Sequence, residues 1–212
     1  MLRSPLSRLT PLWIACALAA AASGEAAQKP AGPVAWVVNF QYGVGNLSMA
    51  GDGREQAQPP SDSLGRDFGR SMHLRLGHIV DRGVVVGFDA RSWNDTGTDT
   101  LRGTTAGATD LTRHVQILTM TATLPISRGT YVRGGGGICK VRQEFLSHDP
   151  LGGASIAKTN EDVGFAVTAA GGWEYKLRPR LGAALDLEYA RIVADHVGGN
   201  LLTYTAGLNY YW

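Results

Sequence analysis

The segment Leu202-Thr-Tyr-Thr-Ala-Gly-Leu-Asn-Tyr-Tyr-Trp212 alternates its side chains without a break. In an extended chain Leu202, Tyr204, Ala206, Leu208, Tyr210 and Trp212 share one face, and Thr203, Thr205, Gly207, Asn209 and Tyr211 share the other. A period of two rules out an amphipathic helix here. One face is apolar and ring-rich, the other small and polar, and the segment ends on an aromatic where a soluble domain would fray into polar residues. Such a strand suits a lipid contact on one side.

The same alternation recurs along the chain and predicts eight strands: Val34–Ser48, Asp67–Val80, Val84–Trp93, Arg113–Leu124, Thr130–Phe145, Asp162–Lys176, Leu181–Val193 and Leu201–Trp212. Each is near or above the roughly 9–11 residues that a tilted strand needs to cross a bilayer. The gaps between them alternate in kind. Met49–Arg66, Asn94–Thr112, Leu146–Glu161 and Ala194–Asn200 are long or polar, whereas Asp81–Gly83, Pro125–Gly129 and Leu177–Arg180 are tight turns rich in Gly, Pro and charge. In an antiparallel sheet this puts every long loop at one end and every turn at the other, the asymmetry of outer-membrane barrels. The expected fold is therefore all-β, an eight-stranded antiparallel up-and-down transmembrane β-barrel.

A soluble barrel of the lipocalin kind shares the strand order but carries its apolar side chains inside. The faces decide against it. Val34, Trp36, Val38, Phe40, Tyr42 and Val44 oppose Asn39, Gln41, Gly43 and Gly45, and Leu185, Leu187 and Tyr189 oppose Gly182, Ala184, Asp186 and Glu188. Small and charged residues together suit a narrow lumen, and rings near strand ends (Trp36, Tyr175, Tyr189, Tyr210, Trp212) suit interfacial girdles. The fourth and fifth segments, with Thr119-Met-Thr-Ala-Thr123 and Gly134–Gly137, show no clear apolar face.

The N-terminus reads as a secretory signal peptide over residues 1–26, with Arg3 and Arg8 ahead of the apolar run Leu12–Ala22 and small residues through Ala27. Cleavage is expected after Ala22, Gly24 or Ala26, leaving a short periplasmic stretch, 27–33, before a barrel over 34–212. The apolar run is too short for a spanning helix, which takes about 20 residues. Cys16 lacks the leucine that opens a lipobox, so lipidation is not expected. The formal net charge of +2 implies neither nucleic acid nor any strongly charged partner, and no nucleic acid is expected. Loss of the leader leaves Cys139 without a second cysteine for an intramolecular disulfide.

From Val34 to Trp212 the chain resembles the small eight-stranded outer-membrane barrels of the OmpA and OmpX type. Thr130-Tyr-Val-Arg-Gly-Gly-Gly-Gly137, Ala170-Gly-Gly-Trp-Glu-Tyr-Lys-Leu-Arg-Pro-Arg-Leu-Gly182 and Leu185-Asp-Leu-Glu-Tyr189 look like the family's strand–turn–strand phrases. The resemblance implies that Tyr204, Leu208, Tyr210 and Trp212 form the terminal signal read by the barrel-assembly machinery. It also implies outer-membrane lipids and lipopolysaccharide as surroundings, and loops that meet an extracellular ligand.

Eight strands enclose an interior just wide enough for side chains. Arg75, Asp89, Arg91, Glu174, Asp186 and Glu188 are expected to point inward as a mutually paired plug, with Glu174, Asp186 and Glu188 as neighbours served by Arg75, Arg91 and Arg133. This favours a structural or surface-interaction role over a narrow channel for small solutes. A lipid A-modifying enzyme is the other alternative, but the family's late-strand His and Ser, two residues apart, are missing from the last two segments. Ser147-His148-Asp149 has triad residue types, yet sequence neighbours point apart. Asp95-Thr-Gly-Thr-Asp99 lacks the later glutamate of a calcium loop and is expected to be a solvated loop. His73, His78, His114, His148 and His196 have no metal-ligand spacing. Gly134–Gly137 with Lys140 lacks the order of a phosphate loop, and close strand approach explains it better. No catalytic, metal or cofactor site is expected.

Overall fold

The computed structural model describes residues 36–51, 68–99, 109–147, 156–194 and 197–212. The expected signal peptide and the 27–33 stretch lie outside the described residues. Eight strands form one closed barrel in chain order: β1 (Trp36–Gly51), β2 (Phe68–Ile79), β3 (Val85–Asp99), β4 (Thr109–Ser127), β5 (Thr130–Ser147), β6 (Ile156–Arg178), β7 (Leu181–Ala194) and β8 (Val197–Tyr211). Every pair is antiparallel, and β1 closes on β8 from Val37↔Tyr211 to Gly51↔Val197. Trp212 ends the seam by exchanging both backbone bonds with Trp36, each 3.1 Å.

The short connections need backbone shapes that their residues permit. A single 3-10 turn, Asp81–Gly83, joins β2 to β3 with Arg82 and Gly83 at positive φ (56° and 78°). Gly129 takes φ 83° between β4 and β5, where a side chain would be strained whatever the space.

The strands run further at the loop end than alternation alone indicates. β3 continues through Asp99 and β4 begins at Thr109, so Asp95–Asp99 is strand and not the expected solvated loop. β6 starts at Ile156, well before Asp162, paired to the top of β5. The gap Ala194–Asn200, expected as a long loop, is mostly ladder: β7 ends at Ala194, β8 starts at Val197, and Ile192 already pairs with Gly199. Asn94, Thr159, Glu161 and Asn200 take outward positions where the strands run on, so the apolar alternation that marks a lipid-facing strand stops short of them.

Outward and inward faces follow the alternation. Phe40, Tyr42, Leu74, Phe88, Met120, Phe165, Leu187 and Leu208 are exposed, whereas Asn39, Gln41, Arg75, Asp89, Thr121, Glu188 and Asn209 are buried inside. A belt of exposed large apolar side chains around a closed sheet is what hydrocarbon requires, since closure leaves no unpaired backbone. No helix among the described residues is long and apolar enough to span a membrane.

Orientation is open to test. With Cys139 buried, Arg142→Cys at the loop end should react with a membrane-impermeant maleimide on intact cells, and Arg128→Cys at the turn end should not. The opposite labelling pattern would invert the barrel.

Candidate functional site

The interior is layered along the barrel axis. Its middle layer holds the charges. Arg133 on β5 is the hub: its Nε lies 3.2 Å from Asp89, and its Nη2 lies 3.1 Å from Asp186 and 3.0 Å from Glu188. Glu188 also accepts from Arg91. Arg75 donates to Thr123 Oγ1 at 3.1 Å. Three guanidinium groups, Arg75, Arg91 and Arg133, thus share the layer with three carboxylates, Asp89, Asp186 and Glu188, all of them almost fully buried. Formal neutrality matters here because a lone buried charge costs several kcal/mol, about 3–5 when one partner of a pair is removed.

Neutral groups knit the layer together. Gln41 donates to Asp186 at 2.9 Å and accepts from Thr205 at 2.8 Å. His73 lies between Gln41 Oε1 (3.2 Å from Nδ1) and Asp89 Oδ2 (3.3 Å from Nε2), and its neutral ring has one N–H to donate to one of them. Tyr131 donates to Asp186, and Gly172 makes room for it: a Cβ there would stand 2.1 Å from Asp186 Oδ1 and 2.4 Å from the Tyr131 ring. His73, Gln41 and Tyr131 were not singled out from sequence as parts of this network, although their parity with Arg75, Asn39 and Arg133 already puts them on the inward face.

Glu174 is not a neighbour of Asp186 and Glu188 in ion pairing, contrary to expectation. It sits at the turn end, where Lys176 approaches its Oε1 to 2.6 Å and Tyr211 donates to its Oε2 at 2.6 Å. The Lys176 ammonium also lies 3.2 Å from the centre of the Tyr211 ring. The expectation failed because the strands stagger: Glu174 pairs with Ala184, below Asp186 on β7.

The outer layer is apolar, and the sequence reading missed it. Trp93 is fully buried, with Leu47, Val115, Ile117, Val141, Ile192 and Leu201 in the same inward cluster. Gly45 and Gly69 form its slot: the indole N–H donates to Gly45 O at 3.0 Å, and a Cβ on Gly69 would stand 2.5 Å from the ring. Above it Arg113 bonds Asp95 at 2.6 Å and lies over the Trp93 ring. Cys139 is a buried member of this layer.

The four residues expected as an assembly signal, Tyr204, Leu208, Tyr210 and Trp212, are all exposed on the outward face of β8, and Tyr210 stacks on Trp212 at 6.2 Å between centroids.

No family model matches the chain, and no curated protein matches it. Solved structures do. Ail, the attachment invasion locus protein of Yersinia pestis, in complex with the heparin analogue sucrose octasulfate, is similar with TM-score 0.56 and 12% identity over 83% of this chain and 99% of that one. Ail without that ligand gives TM-score 0.52 and 13% identity over 82% and 98%. The chain has the fold of the small eight-stranded outer-membrane β-barrels. With its apolar belt, that fold makes the chain an integral protein of the bacterial outer membrane.

Two measurements probe the site. Glu188→Gln removes the carboxylate partner of Arg91 and one of the three around Arg133 and should lower the unfolding temperature in detergent, with about 3–5 kcal/mol at stake, whereas the lipid-facing Leu187→Ile should change it little; equal stability would dissolve the hub. For β8, Trp212→Ala should reduce the yield in the outer membrane more than Tyr211→Ala, whose loss falls on the Glu174 contact and so on thermal stability. Equal yields would remove the role given to the outward rings.

Proposed function

We propose that this protein is a closed, non-conducting outer-membrane barrel with a structural and surface-interaction role, which presents its loop end to extracellular ligands and carries out no enzymatic reaction. One observation supports this best: the fully buried Trp93 and its apolar neighbours stack on a charge-balanced layer, so two unlike fillings occupy the lumen in series. A solute path would have to separate paired charges and then open an apolar plug. Arg91, Arg133, Asp89, Asp186 and Glu188 are engaged with one another, which supports a structural reading of them over a catalytic one. The extended strands, held by the Asp95–Arg113 pair and the outward Lys140–Glu161 pair at 2.7 Å, give the loops a stiff collar.

The heparin analogue bound by Ail concerns Ail; for this chain an extracellular ligand belongs to the proposal. Purified barrel in planar bilayers should show no conductance steps above the lipid baseline, and reproducible steps would overturn the closed reading. For the surface half, cells with and without the protein are compared for retention on immobilised sulfated polysaccharide and on bare support; equal retention on both would remove it.

A further inference from the structure

The strand pairings carry one pattern on the outward face that the closed lumen does not explain. About ten residues from its turn end, nearly every strand carries a polar outward residue, which at ~3.3 Å per residue and a tilt of ~40° is roughly 25 Å up, the height of an apolar belt. Asn46, Arg70, Asn94 and Gln116 take this level on β1 to β4, Lys140 on β5, and Arg191 and Asn200 on β7 and β8. β6 departs from it, with exposed Val163, Phe165 and Val167. The level holds amides and cations, and no carboxylate stands in it.

Lys140 has a partner in Glu161 above it. Arg70 and Arg191 differ. Arg70 is exposed between the exposed Phe68 and Met72, and no carboxylate among the described residues lies within ion-pair distance. Arg191 is exposed between Tyr189 and Val193, and its guanidinium donates to Asn200 Oδ1 at 2.8 Å, an oxygen that Tyr189 also donates to at 2.6 Å. Asn200 therefore aims the guanidinium along the wall without neutralising it. Arginines on a lipid-facing wall are tolerated where the hydrocarbon ends, at about 0–1 kcal/mol against ~2–4 at mid-membrane. At that depth the available counter-ions are lipid headgroups.

We propose that Arg70 and Arg191 bind the phosphates of a phosphorylated glycolipid of the outer leaflet, lipid A in chemical class, with the ring amides meeting its sugar hydroxyls. The guanidinium is the fitting donor because its planar fork matches phosphate oxygens two at a time. The two arginines flank β8 and β1, so the seam that closes the barrel lies between them. The assignment rests on outer-membrane placement and not on the closed lumen or the surface role.

The test uses the full mature protein extracted from outer membranes and placed in nanodiscs of zwitterionic phospholipid. Native mass spectrometry follows uptake of bisphosphorylated lipid A, its dephosphorylated counterpart and phosphatidylglycerol. The parent should prefer bisphosphorylated lipid A to both. Arg70→Gln and Arg191→Gln should each weaken that uptake about tenfold, with Arg128→Gln at the other mouth unchanged. Heat-modifiable migration equal to the parent's shows that the variants are folded. Equal uptake of the dephosphorylated lipid, equal uptake of phosphatidylglycerol, or full retention by the double variant overturns the proposal. A parent that does not fractionate with outer membranes would instead overturn the placement.

Discussion

The pairing of β1 with β8 is the constraint from which the rest follows. A sheet of eight strands left open would present two rows of unpaired amides and carbonyls to hydrocarbon, each costing several kcal/mol, so the chain spans the membrane only because Val37 to Gly51 meet Tyr211 to Val197. Closure at eight strands then fixes a narrow lumen. A narrow lumen must be filled, and any charge placed in it must be met by another. Arg133, within reach of Asp89, Asp186 and Glu188, is the consequence of that demand and not an independent feature.

The barrel also inverts its polarity along its own axis. Through the belt, Leu118 and Ile138 face out while Thr119 and Thr121 face in; above it, Gln116 and Arg142 face out while Val115, Ile117 and Val141 face in. The lower part is built for lipid and the upper part as a water-soluble β-barrel would be, on continuous strands. The collar therefore has an apolar core of its own, with Trp93 at its centre.

This inversion explains what could be read from the sequence and what could not. On β1, β6, β7 and β8 one face stays apolar over most of the membrane span, so Phe40, Phe165, Leu187 and Leu208 announced both strand and orientation. On β4 the apolar face changes side near Ile117 and Leu118, and alternation computed over the whole segment cancels. On β5 the Gly134–Gly137 run erases the pattern further: Gly135 and Gly137 are bare because a Cβ would stand 2.3 Å and 2.0 Å from the carbonyls of Met120 and Leu118. Inward parity placed Arg75, Asp89, Arg91, Asp186 and Glu188 in the lumen, yet their partners depended on stagger between strands, which no single strand records. Glu174 shows the difference, inward as read but served by Lys176 and Tyr211.

The apolar outward run on β6 has a mechanical consequence. Val163, Phe165 and Val167 on β6 carry the greasy surface higher on that flank than Asn46 and Asn94 allow on the opposite one. A belt of unequal height meets a flat bilayer with hydrophobic mismatch on one side, and leaning or local thickening relieves it at a fraction of a kcal/mol per Å. The axis of the barrel and the normal of the membrane then need not coincide, and a lean would turn the loop end of the sheet obliquely to the cell surface.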